Sequence, residues 1–225
     1  MTKYLSIIAL IVAPSILLGQ IKKTEVLVFG TAHLAQMKGF QTHMLGRVIE
    51  KLDNFEFDVV CIEKMPGQLL YDIKQRNNPT YKRIIKGRWS KPYLAIADTV
   101  QKVLGINFID AIATTTRTQK KDSLTVADRK ILFDNYLAMT DIPSASLQYN
   151  YLSIESYDFS DFDKYLISQI QQEINTNSEF YTLAMPVALQ QRLKKIESIN
   201  DFQDEALLFN YFPDFGKDFQ SKSEL

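Results

Sequence analysis

The apolar positions change period along this chain. Val26-Leu27-Val28-Phe29 and Phe57-Asp58-Val59-Val60-Cys61-Ile62 are short, nearly continuous apolar runs, the pattern of strands buried on both faces in a parallel sheet. Between them Met44, Leu45, Val48, Ile49 and Leu52 recur at helical spacing behind Thr42, a capping residue, and Asp53-Asn54 close the segment. Strand, returning helix and strand predict a βαβ unit. An amphipathic segment follows from Gln68 to Gln75. Pro92 then opens a helix whose apolar face is Tyr93, Ile96, Ala97, Val100, Val103 and Leu104, and Gly105 stops it. Ile106-Asn107-Phe108-Ile109 reads as a third short strand. Beyond it, apolar residues three and four apart predict helices over 125–139, 144–155, 162–174 and 189–199, with Ser160 and Asp163 as a capping pair and Pro186 at a helix start or kink. The aromatics from Phe209 to Phe219 are expected to pack on the core. The expected fold class is α/β: a small, mostly parallel sheet built from βαβ units over 25–111 and a mainly helical half over 112–225, in one domain spanning 21–225.

Residues 1–20 differ from the rest. Lys3 precedes an apolar run from Tyr4 to Leu18, broken only by Ser6, Pro14 and Ser15. This is a signal-peptide pattern with cleavage near Gly19-Gln20, and the run falls short of the roughly 20 residues of a spanning helix. The expectation is export, to the periplasm or the medium, with no stable membrane anchor. Cys61 is the only cysteine, so no disulfide partner exists within the chain, and its apolar surroundings predict a buried, inert thiol. Lys and Arg number 26 against 26 Asp and Glu, which provides no overall field for nucleic acid.

The chemistry-bearing residues follow the strands. His33 comes just after Gly30, Glu63 directly after the second run, and Asp110 after the third; ligand sites of open α/β sheets gather at such strand ends. One imidazole and two carboxylates suit a divalent metal, zinc or manganese, better than thiolate chemistry would. His33 and Glu63 are the expected catalytic residues and metal ligands, with Asp110 as an additional binding residue. Each also has a structural reading, as a turn, cap or ion-pair partner, and His43 reads as solvated. Lys82, Arg83, Lys86, Arg88 and Lys91 surround Trp89; this basic run is either a solvated loop or an anion-binding element with Arg88 as the clamp. No nucleophile elbow, phosphate-binding glycine loop or His-Glu-x-x-His motif occurs.

Gly30-Thr31-Ala32-His33 after an apolar run, a returning helix, and Cys61-Ile62-Glu63-Lys64 closing a second run resemble the amino-terminal half of the TraB, Tiki and ChaN-like superfamily, which includes the erythromycin esterases. The likeness is to an uncharacterised bacterial branch with an Ile-Asp pair, here Ile109-Asp110, and spans about residues 25–111. It implies site roles for Gly30, His33 and Glu63. It also implies either a metal-dependent hydrolase acting on a small molecule or peptide, or a non-catalytic haem or small-ligand binder, or a degenerate inactive member. Members carry a second Gly-x-x-His near the carboxyl end, whereas no histidine follows His43 here.

Overall fold

The computed structural model describes residues 24–215 and 217; the signal-peptide expectation for residues 1–20 lies outside them. The chain divides into two units, Met1–Ala32 and His33–Leu225. In the first, residues 24–32 form no strand, and Val26 and Val28 are 80% and 86% exposed. The expected first strand is therefore not built among the described residues.

The second unit is helix-rich with a two-stranded parallel sheet. Short 3₁₀ turns at Leu34–Gln36 and Thr42–Leu45 lead into α1 (Gly46–Asp53). β1 (Cys61–Ile62) is followed by α2 (Gly67–Arg76), α3 (Lys82–Lys86) and α4 (Ser90–Leu104). Gly105, at φ +67°, takes the left-handed conformation that ends α4. The expected third strand is instead the start of α5 (Phe108–Gln119), because Asn107 accepts from the Asp110 amide at 2.9 Å and nucleates a helix there. α6 (Val126–Ala138) opens on a reciprocal capping box between Thr125 and Asp128. α7 (Ile142–Ile154), α8 (Asp161–Ile174) and α9 (Met185–Gln190) follow, and Pro186 lies in the first turn of α9. The expected Ser160–Asp163 cap is present, with Ser160 Oγ donating to Asp163 at 2.8 Å.

Helices α6 and α7 are the centre of the core. Phe133, Leu137, Ile142 and Leu152 are fully buried, and Val100 of α4 and Leu166 and Ile170 of α8 close over them. Each such side chain contributes about 1.5–3 kcal/mol by leaving water.

The expected helix over 189–199 ends at Gln190. Arg192, at φ +53°, turns the chain, and β2 (Glu197–Ser198) pairs in parallel with β1, Cys61 opposite Glu197 and Ile62 opposite Ser198. Side chains of α6 and α7 satisfy the backbone of the extended segment. Tyr136 Oη and Gln148 Nε2 donate to the Lys194 carbonyl at 3.1 and 2.8 Å, Tyr151 Oη to that of Leu193 at 3.1 Å, and Ser144 Oγ to that of Ile196 at 3.1 Å. Burial pushes the Tyr151 phenol up to about 12, and that of Tyr136 further, so both remain donors at any physiological pH.

Asp141 caps α7 by accepting from the Ser144 amide at 3.2 Å. Burial, only partly offset by the Ser144 hydrogen bonds, raises its carboxyl from 3.8 to about 6. A folded-state value above the unfolded one means that this group's contribution is most favourable below about pH 4 and is lost as the pH rises through about 6. Asp141→Asn retains the capping oxygen and removes the charge. It is expected to stabilise the protein by about 1–2 kcal/mol at pH 7.5 and by little at pH 4, which thermal melts at both pH values would check; a variant less stable at pH 7.5 would refute this reading.

Candidate functional site

His33 closes the loop ahead of the Leu34–Gln36 turn, and buried Leu34 fixes that turn to the body of the unit. Its imidazole meets a residue 146 positions away: Nδ1 lies 3.4 Å from Glu179 Oε1. The Leu34 amide donates to the other oxygen, Oε2, at 3.3 Å. Both oxygens of this carboxylate are thus engaged by one short stretch. Its side chain is 16% exposed whereas the His33 side chain is 72% exposed, so a sheltered anion orients a ring that faces solvent. Glu179 directly precedes a π-helical turn, Phe180–Ala184, whose start is stabilised by Thr182 Oγ1 donating to the Ser178 carbonyl at 2.9 Å. Such wide turns place a side chain where a regular helix would not, and they recur at functional positions.

Glu63 stands at the carboxyl end of β1, where the sequence places it, but its partner is Asn200, whose Nδ2 donates to Oε1 at 3.2 Å. His33 and Glu63 share no hydrogen-bond partner among the described residues. Asp110 belongs to the α5 cap, where Asn107 also donates to its carboxylate, and it is structural. Arg88 is not a clamp over the site: its guanidinium stacks on the exposed Trp89 ring at 4.5 Å. Cys61 is exposed rather than buried, because β1 is an edge of a two-stranded sheet instead of the centre of a larger one. Partial burial and the Glu197 carboxylate still push its thiol up, with Lys195 opposing, which disfavours the nucleophilic thiolate.

A catalytic metal site of the zinc type uses three protein donors and an open position. Among the described residues no group of three or more His, Cys, Asp and Glu side chains could hold a metal ion. His33 and Glu179 supply two donors and Glu63 joins Asn200, so this donor set does not fit resident zinc or manganese. A haem ligand would need an apolar wall beside the imidazole, and an imidazole so exposed does not match that arrangement. A cleft of about 340 Å³ lies elsewhere, lined by Asp58, Gln119, Arg192, Lys194, Lys195 and Glu197. Two of its cations are engaged within the protein, Lys195 with Glu197 and Lys194 with the Gln119 and Lys121 carbonyls.

The partner missed from sequence is Glu179. It sits in the polar connection Thr176-Asn177-Ser178-Glu179 between two helical segments, and no local pattern distinguishes it from a solvated loop carboxylate. No helix among the described residues is long and apolar enough to cross a membrane. Comparison with family models, with curated proteins and with solved structures gives no match.

Proposed function

We propose that the chain is a hydrolase in which His33, held by Glu179, serves as general base toward water attacking a small ester or a peptide bond. One observation supports this reading: a sheltered carboxylate grips Nδ1 and leaves Nε2 of an exposed ring free to take a proton. Fixing one nitrogen sets the tautomer and aims the other. In the reaction water loses a proton to Nε2 as its oxygen bonds to the carbonyl carbon; the C–O or C–N bond then breaks, and the imidazolium returns the proton to the leaving group. The resemblance of Gly30-Thr31-Ala32-His33 to a superfamily with hydrolase members points the same way, with Glu179 as the residue that orients His33.

The test is hydrolysis of a chromogenic ester panel. His33→Ala is expected to lower kcat/KM by about 100-fold or more, and Glu179→Gln by about 10–100-fold with a displaced pH profile. Added Zn²⁺ or Mn²⁺ is expected to change neither. Undiminished turnover in His33→Ala would overturn the assignment.

A further inference from the structure

The basic run that the sequence singles out is not part of the His33 site, yet its structure has a distinct character. From residue 73 to residue 97 the chain contains no Asp or Glu. Lys74 and Arg76, at its start, pair with Asp98 and Asp72. Lys82, Arg83, Lys86, Arg88 and Lys91 are all exposed, and among the described residues none of the five forms an ion pair. Three of them occupy α3, where Ile84 and Ile85 turn inward and Lys82, Arg83 and Lys86 outward. A chain with no net charge thus concentrates five cations, with no acidic residue among them, in ten residues.

The second feature is apolar. Trp89 stands among these cations with 59% of its surface exposed. The neighbouring helix α10 (Gln203–Tyr211) packs beside the Pro79–Tyr81 turn that leads into α3, and the Arg83 guanidinium lies 4.7 Å from the Phe209 ring centre. α10 and the residue after it expose Leu207 (37%), Tyr211 (71%) and Phe212 (62%). The expectation that these aromatics pack on the core is not met among the described residues: Tyr211, Phe212 and Phe215 are exposed and Phe209 is half-buried under Arg83.

We infer that this surface, α3 with Trp89 and the exposed aromatics of α10, docks reversibly on an anionic phospholipid bilayer. Lys and Arg draw such a surface to acidic headgroups, while Trp and Tyr rings settle at the headgroup level. A nucleic acid would use the cations equally well, but it offers no apolar layer for Leu207 and Phe212, which α10 and the residue after it expose. This docking would be peripheral, and it is consistent with the lack of a spanning helix among the described residues.

Trp89 is the only tryptophan, so its emission reads the contact directly. With vesicles of equimolar phosphatidylcholine and phosphatidylglycerol at low salt, the emission should shift to the blue and be quenched by brominated lipid. Vesicles of phosphatidylcholine alone should produce neither effect, and high salt should reverse both. The triple variant Lys82→Gln/Lys86→Gln/Lys91→Gln changes only exposed side chains and should weaken partitioning by roughly tenfold or more. The inference is overturned if acidic vesicles leave the emission unchanged and do not co-sediment the protein, or if the triple variant partitions like the parent. It is equally overturned if a single-stranded oligonucleotide quenches Trp89 while acidic vesicles do not.

Discussion

Gly67→Ala is expected to cost about 3 kcal/mol or more and to lower Tm by roughly 10 °C. Gly67 opens α2 where that helix meets the bend between α6 and α7, and it is buried there. A Cβ at this position would lie 2.3 Å from the Met139 carbonyl oxygen, 2.6 Å from the Thr140 carbonyl carbon and 2.7 Å from the Asp141 nitrogen. All three are backbone atoms, so no side-chain rotation relieves the overlap, and either α2 or the bend must move. The bend has little room to do so. Thr140 is a buried β-branched residue at φ +62°, a conformation that such residues rarely adopt, and its hydroxyl donates to the Gly67 carbonyl at 2.7 Å. The same approach that excludes a methyl group thus also stabilises the strained residue. Thermal unfolding followed by circular dichroism would check this, and a midpoint within a degree or two of the parent would refute it.

Residues of this kind explain how much of the molecule was legible in its sequence. Most of the helices were readable because their spacing and caps are local: Pro186, Gly105 and the Ser160–Asp163 pair act over a few residues and stand where expected. The sheet was not, because pairing is decided at long range. An apolar run such as residues 57–62 announces a strand but cannot name its partner, and β1 pairs with residues 197 and 198 instead of 26–29. Leu189, Leu193 and Ile196 are spaced for a helix, and neither Gly nor Pro interrupts them. What ends the helix is a set of acceptable partners for an extended backbone, Tyr136, Ser144, Gln148 and Tyr151, located some 40–60 residues earlier. Polar residues on helices that are otherwise buried were the available signal. The site followed the same rule. His33 was visible from its local setting, whereas Glu179, 146 residues away, was not. Ile109-Asp110 misled because Asn107 turned a plausible strand end into a helix cap.

Lys130→Met should reveal the other strongly coupled feature of the fold. The Lys130 ammonium lies 2.6 Å from Asp134 and 3.0 Å from Asp163, with side-chain exposures of 18%, 14% and 4%. Asp163 also accepts from the Ser160 amide and hydroxyl, so this one cation ties α6 to the cap of α8. Burial alone would lower the Lys130 value; its bonds to Asp134 and Asp163 outweigh that and raise it. Burial raises the Asp134 carboxyl even with Lys130 opposing. Methionine fills the volume of the aliphatic stem but leaves two sheltered carboxylates facing each other, which should cost about 3 kcal/mol at neutral pH. Removing the cation must raise the Asp134 carboxyl further. A raised folded-state value favours the protonated fold, so stability is retained below the unfolded value and lost as the pH rises through the folded one. The deficit of the variant should therefore be small near pH 4 and large at pH 7.5, and Asp134→Asn added to Lys130→Met should restore part of it. Urea unfolding at the two pH values measures this. Equal deficits at both would show that the loss comes from packing around the stem and not from the two carboxylates.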